Sequence, residues 1–394
     1  MKYPLMRNNI QSVDLEPVIS LLQQKDPKLT SGPNVHEFEE QWSKWLGVKY
    51  SVFINSGSSA NLLALAWLKK EYPDGGCIII PPFTWSSDIS AAIWMGFEIA
   101  FVDIKLNTLA IDEDKLGDVL SSRKDIRAVF LTHAQGINGL TPKIIELCEA
   151  NNIHIIEDVC ESHGVELNSG KKAGSFGIIS CFSFYYAHHM STIEGGMVCT
   201  NDPLIYQYLR MIRSHGMLRE ATDERLKLEY STTYSDLNPL FIFTYPGFNV
   251  RNNEIGALIG ISQLRRLDDM VQKRARNFEY FLSLMPDWVF TEFNLKGQSN
   301  YAFNLILNAP DPELMNHVEK ALDFEEIEFR RGSAGGGNQL RQPYVRKLPQ
   351  FSQLDPSIVT PVTDHIHFYG MYLGNYPELA KSDIDYICKV INKI

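Results

Sequence analysis

The sequence contains no apolar run long enough to cross a membrane; runs such as Cys77–Ile80 are strand-sized. It has no surplus of positive charge. Its 37 Lys and Arg stand against 47 Asp and Glu, a formal net charge of −10, which disfavours non-specific binding to nucleic acid or a membrane surface. A local basic pocket for an anionic small molecule remains compatible with that charge. No CxxC pair occurs among Cys77, Cys148, Cys160, Cys181, Cys199 and Cys388, which argues against zinc knuckles and thioredoxin-type sites. The opening MKYPLMRNNIQS lacks the apolar stretch of a signal peptide. Dispersed cysteines in such a chain are expected to be reduced and mostly buried. There is no internal repeat, low-complexity tract or long charge run. The expectation is a cytoplasmic globular enzyme.

Between about residues 35 and 215, short apolar runs alternate with amphipathic ones. HEFEEQWSKWLG spaces Phe38, Trp42 and Trp45 along a helix. SVFIN (51–55) reads as a strand, and SSANLLALAWLKKEY (58–72) as a helix entered through Ser-Gly. CIIIPP, IAFVDI, AVFLT and HIIEDV are buried-strand candidates, and PKIIELCEA (142–150) is a helix between the last two. Such alternation implies parallel strands joined by crossovers, in an α/β sheet covered on both faces. Near residue 245 the pattern changes to a loop and then a long helical stretch running to about 285. We therefore expect a large domain over 1–250 and a smaller α+β domain over 251–394, with the N-terminal segment packed on the small domain.

Three segments can carry chemistry. NSGSSANLLAL (55–65) joins a strand end to a helix start, where unpaired N–H groups and serine hydroxyls can cradle a phosphate. A plain serine N-cap is the other reading. IIEDVCESHG (155–164) ends an apolar strand on Asp158, a carboxylate that needs a partner there. Sites in α/β sheets form beyond such strand ends, and this aspartate could hold a protonated pyridine nitrogen; otherwise it caps a helix. CFSFYYAHHMSTIEGGMVCT (181–200) sets His188 and His189 in a polar turn closed by Glu194-Gly195-Gly196. No suitably spaced third ligand completes a zinc site, and the two histidines are either structural or catalytic.

In order and spacing, these segments resemble the pyridoxal-phosphate sugar aminotransferase family DegT/DnrJ/EryC1/StrS, over about residues 10 to 390. PPFTWSSDISAA, KKAGSFG and YPGFNVRNNEIGALIGISQLRRLD extend the resemblance. It implies an aspartate-aminotransferase-type fold (fold type I): a large domain with a mostly parallel mixed sheet between helices, and a smaller α+β C-terminal domain. It also implies roles. Gly57, Ser58 and Ser183 would bind the cofactor phosphate, and Trp85 would stack on the pyridine ring. Asp158 would keep the ring nitrogen protonated, making the ring an electron sink. Glu161, where many relatives have Gln, would lie near the ring hydroxyl or the substrate. Asn249 would reach the phosphate across a subunit interface, so the resemblance implies a homodimer with shared active sites.

One departure sets the expected chemistry. Family aminotransferases carry their cofactor lysine six residues before the Glu of Glu-Gly-Gly; here that position is His188, and no lysine lies between Lys172 and Lys227. Imidazole cannot hold the cofactor covalently but can shuttle protons near neutral pH. A histidine there is similar to the family's 3-dehydratase branch, which acts on nucleotide-diphosphate 4-keto-6-deoxy sugars. The resemblance implies pyridoxamine phosphate as the working cofactor, His188 as base, glutamate as amino donor and a 4-keto-3,6-dideoxy sugar as product. FYYAHHMSTIEGG is most similar to the GDP-4-keto-6-deoxymannose 3-dehydratases. GGGNQLRQPY (335–344) and LGNYPEL (373–379) instead resemble the CDP-sugar branch that uses an iron–sulfur cluster. Such a cluster needs four cysteines, three of them close together, and that arrangement is missing, so no cluster is expected. His215 is either near the site or a helix C-cap. Arg330, Arg331 and Arg341 either bind the substrate diphosphate or form a solvated basic loop. A lysine-free aminotransferase and a non-catalytic nucleotide-sugar binder are the competing functions.

Overall fold

The computed structural model describes residues 1–394. Strands β1 (Tyr50–Ile54), β2 (Cys77–Ile80) and β3 (Glu98–Phe101) are followed by a small antiparallel hairpin, β4 (Ile104–Lys105) and β5 (Ala110–Ile111). Then come β6 (Ile126–Thr132), β7 (His154–Asp158), β8 (Ile179–Ser183) and β9 (Gly196–Thr200). All but the hairpin form one seven-stranded sheet in the order β1-β9-β8-β7-β6-β2-β3. Its neighbours from β8 to β3 are parallel, and β9 runs against both strands beside it.

The sheet is buried on both faces, and its residues alternate between two cores. Phe53, Ile79 and Val129 join the core on one face; Val52 with Ile54, Ile78 with Ile80, and Ala128 with Phe130 join the other. Strand side chains point alternately to opposite faces, so two apolar coverings demand the continuous apolar runs seen in the sequence. Helix Pro33–Leu46 seats Val35, Phe38 and Trp42 in the first core, while Ala60, Leu63, Ala64 and Trp67 of helix Gly57–Glu71 enter the second. The apolar strand and helix patterns read from sequence therefore appear as elements, displaced at most by a residue or a few at their ends.

The smaller unit contains β10 (Ala302–Ile306), β11 (Phe329–Arg331) and β12 (Gly370–Gly374), an antiparallel sheet in the order β10-β12-β11. Phe278, Phe281, Phe303, Leu305 and Ile387 share its core, with Phe281 stacked on Phe303 at a ring-centroid distance of 4.5 Å. The N-terminal segment seats here too: Tyr3 bridges to Ile327 and donates to the Glu326 carbonyl. The helical stretch expected to run unbroken to about 285 is two helices, Glu254–Leu264 and Leu267–Ser283. Arg266 leaves helical geometry between them (φ −116°, ψ 4°) and its guanidinium clasps the buried Asp14 carboxylate, with Nη1–Oδ1 at 2.6 Å. Ala257, Ile261, Leu267, Met270 and Val271 still belong to a core of the large sheet, whereas Phe278 and Phe281 belong to the small unit. The chain thus passes between cores along helix Leu267–Ser283, later than the boundary expected at residue 250.

Pairing registers bring Ile54, Gly196 and Ser183 side by side, with Thr132 beside Asp158. Loops leaving this edge can converge on one cleft. Gly196 lets them approach, since a Cβ there would lie 2.3 Å from the Ser56 carbonyl oxygen. Gly196→Ala should therefore cost about 1–3 kcal/mol of stability, read as a lower urea midpoint at unchanged slope.

Candidate active site

Where β1 ends, Ser56 caps helix Gly57–Glu71 by accepting from the Ser59 N–H. The serine cap and the cradle are therefore separate residues of one turn. The N–H groups of Gly57 and Ser58 lie in the first helical turn, where no intrahelical acceptor exists. Ser183 ends β8 beside them: a Cβ on Gly57 would fall 2.6 Å from the Ser183 Cβ and 3.1 Å from its Oγ. Glycine keeps this corner open, and N–H groups, the Ser183 hydroxyl and the helix's positive end together favour a phosphate dianion.

Asp158 is enclosed at the end of β7. Its Oδ1 accepts from the Cys160 N–H at 2.8 Å, and its Oδ2 accepts from Asn61 Nδ2 at 3.1 Å. The same Asn61 amide reaches Oδ1 of Asp88, a second buried carboxyl, at 2.5 Å. No helix follows Asp158, so it is not a helix cap. Neighbouring Glu157 turns the other way, accepting from the Gly174, Phe176 and Gly177 N–H groups and facing His133 at 3.0 Å.

His188 sits in the turn after β8, its N–H donating to the Tyr185 carbonyl. Its ring lies 6.1 Å from that of His163 and 5.7 Å from that of Tyr301, centroid to centroid. Nδ1 is enclosed without a partner, which leaves Nε2 as the nitrogen with access to the cleft. Burial pushes the His188 pKa down to about 4; the Asp158 charge opposes this and the Arg274 cation assists. His188 is therefore an uncharged base at neutral pH. His189 points instead to Ser299, whose carbonyl and hydroxyl lie 2.7 and 2.8 Å from Nε2. Burial also holds the His163 and His189 pKa values well below normal. Glu161 faces the Gln135 N–H at 3.2 Å, and burial lifts its pKa to about 7.

The other expected residues separate. Trp85 heads helix Ser86–Trp94 and is 53% exposed. Asn249 is bridged to Ser214, which places it beside His215, and both are exposed on one face. His215 directly follows the C-cap of helix Pro203–Arg213, in left-handed geometry (φ 62°), as helix-terminating residues often are. Arg330 and Arg331 are successive on β11 and so face opposite ways. Tyr372 and Tyr301 feel the Arg330 charge, whereas Arg331 pairs with Glu319 at 2.8 Å. Arg341 is held by both oxygens of Asp364, at 2.5 and 2.8 Å. Sequence reasoning missed Asn61, Asp88, His163, Tyr301 and Arg274. Arg274 is buried, donates to the Tyr301 and Asn375 carbonyls and has no carboxylate partner.

The profile of the DegT/DnrJ/EryC1/StrS aminotransferase family matches residues 9–392. The chain belongs to this family. It is 32% identical over 375 residues to the GDP-4-keto-6-deoxy-D-mannose 3-dehydratase of Yersinia pseudotuberculosis, covering 92% of each chain. A GDP-4-keto-6-deoxymannose-3-dehydratase variant solved with bound GDP-perosamine superposes with a TM-score of 0.86 at 28% identity, over 99% of this chain and 100% of that one. A structure of the same enzyme with a trapped PLP-glutamate geminal diamine gives 0.85 at 29% identity, with the same coverage.

The residues present fit the cofactor of this DegT/DnrJ/EryC1/StrS protein. The glycine-lined corner at Ser183 matches a phosphate, and the enclosed Asp158 matches a protonated ring nitrogen. Nothing at position 188 can bind an aldehyde covalently. Three neutral imidazoles, the buried His163 and His189 and the half-buried His188, also have a consequence for stability. An unfolded histidine protonates near pH 6.5, whereas His188 stays neutral until about pH 4, so between these values the unfolded state binds more protons. Stability is full above pH 6.5 and falls on acidification by about 1.4 kcal/mol per pH unit for each such histidine. Urea unfolding at pH 7, 6 and 5 should show that loss, and His163→Phe should flatten the slope by one histidine's share.

Proposed function

We propose that the protein removes the C3 hydroxyl of a GDP-linked 4-keto-6-deoxyhexose, using non-covalently held pyridoxamine phosphate that glutamate regenerates. The observation that carries this reading is His188: a half-buried, uncharged imidazole where relatives that aminate carry lysine. Its support comes from dehydratases similar along nearly the whole chain, one solved with a GDP-sugar and one with a glutamate adduct.

Bound in this cleft, pyridoxamine phosphate supplies an amine for the C4 ketone and a ring that takes up an electron pair. Gly57, Ser58 and Ser183 would hold the phosphate and Asp158 would keep the ring nitrogen protonated, while the exposed Trp85 would be free to lie against the ring. His188 accepts a proton at Nε2 and returns it to the departing C3 hydroxyl, which leaves as water. Its depressed pKa suits the first task, because the base form is fully populated at neutral pH. Glu161, poised near pH 7, can donate a hydrogen bond where relatives offer a Gln amide. Arg330 is our choice for the substrate diphosphate; Arg331 and Arg341 are committed to Glu319 and Asp364.

We further assign a homodimer. Helix Glu224–Thr233 buries no residue of its own, and Leu228, Leu240, Phe241 and Phe243 are exposed in the segment leading to Asn249. Such an apolar patch favours a partner surface. In that assembly Asn249 and His215 would complete the neighbouring subunit's phosphate site.

Product analysis with GDP-4-keto-6-deoxymannose and glutamate tests the reaction. A 4-keto-3,6-dideoxy sugar, ammonia and 2-oxoglutarate are expected; a stable amino sugar as sole product would overturn the reading. His188→Lys should bind pyridoxal phosphate covalently, with visible absorbance, and lose dehydration by at least about a hundredfold. Mixing inactive His188→Asn and Asn249→Ala chains should restore part of the activity, since some hybrid dimers keep one intact site; no recovery would argue against shared sites.

A further inference from the structure

Behind the proposed ring-nitrogen site lies a buried polar cluster that phosphate binding and base catalysis do not use. Asp88 and Asp158 are both enclosed, and the Asn61 amide nitrogen reaches both. Asn61 Nδ2 has two hydrogens and three acceptors in reach: Ser87 Oγ at 3.0 Å, Asp88 Oδ1 at 2.5 Å and Asp158 Oδ2 at 3.1 Å. On its far side, Asp88 Oδ2 takes the Thr84 hydroxyl and lies 3.2 Å from the Thr132 hydroxyl. The Asn61 carbonyl is enclosed without a partner. Neither carboxyl forms a salt bridge.

Two carboxylates cannot both be charged at this separation and this depth. Asp158 stands at the strand's C-terminal end, takes the Cys160 N–H and can be answered by a cationic ligand. Asp88 is walled in by hydroxyls and an amide. We propose that Asp88 is held as the neutral acid and, with Asn61, is the positioning group that keeps Asp158 ionised against the cofactor's ring nitrogen. The acid proton gives Asp158 a fixed donor on the side away from the ligand. Hydrogen bonds to the charged form of a carboxyl make it less basic, so the shared proton stays on the ring nitrogen. Burial and the Asp158 charge, which both push the Asp88 pKa well up, agree with this assignment.

The inference rests on cofactor binding in this cleft and not on which sugar reaction follows. Asp88→Asn preserves shape and neutral hydrogen bonding; Asp88→Val removes both. Infrared difference spectra of the cofactor-free protein at pH 7, native minus Asp88→Asn, should show a carboxylic-acid C=O band. With ring-¹⁵N-labelled pyridoxamine phosphate bound, native and Asp88→Asn proteins should give the shift of a protonated ring nitrogen. Asp88→Val should move it toward the unprotonated value and weaken cofactor affinity about tenfold or more, at least about 1.4 kcal/mol. Asn61→Leu cuts the same bridge and serves where Asp88→Val does not fold. No acid band, or a folded Asp88→Val or Asn61→Leu protein with the native shift, would overturn the proposal, as would Asp88→Asn behaving like Asp88→Val. A native protein that binds no pyridoxamine phosphate would instead remove the cofactor reading, leaving the infrared result to decide the protonation of Asp88.

Discussion

Asp158 ends a strand whose apolar side chains are enclosed on both faces of the sheet. A charge placed there costs several kcal/mol unless neighbouring dipoles or a bound cation answer it. Much of the surrounding arrangement follows from that constraint. The Cys160 N–H and the Asn61 amide provide the dipoles, and Asp88 is pushed toward its neutral form. Arg274 is enclosed with backbone carbonyls rather than a carboxylate as its partners, near histidines that stay uncharged.

Much of this was legible in the sequence. The buried strands announced themselves as uninterrupted apolar runs, because a sheet covered on both faces allows no polar alternation. Gly57, Ser183, Asp158 and His188 stood out as candidates because they lie at or just beyond the ends of such runs. Arg274 escaped notice inside the basic stretch KRARN, which reads as a solvated face. Yet Leu267, Met270, Val271, Arg274 and Phe278 fall on one helical stripe, and that spacing was the available signal. Asn61 and Asp88 were similarly visible as polar intruders in apolar helices, but their pairing joins residues 27 apart in sequence and needed the tertiary structure. The three arginines near residues 330–341 looked equivalent for the opposite reason: strand alternation and the carboxylate at Asp364 tell them apart only in space.

The two cores are stitched together at the site itself. The Gly297 carbonyl accepts from the Glu166 N–H, the Ser299 hydroxyl donates to the His163 carbonyl, and the Tyr301 N–H donates to the Gln135 carbonyl. Gln135 adopts left-handed backbone geometry there (φ 57°), a strain of order 1–3 kcal/mol that neighbouring contacts hold in place. His189 belongs to this seam, which explains why two adjacent histidines have different surroundings.

The N-terminal segment joins the same seam. Asn9 donates to the His188 carbonyl, and its own carbonyl accepts from Arg266, the residue that breaks the long helix. Tyr3 is anchored in the small unit, while Asp14 is tied to the large one. This segment is mechanically a strap, laid across both bodies and tied to the turn that carries His188. Any protease that nicked it, or any fusion that pulled on it, would act on the catalytic turn from outside the cleft.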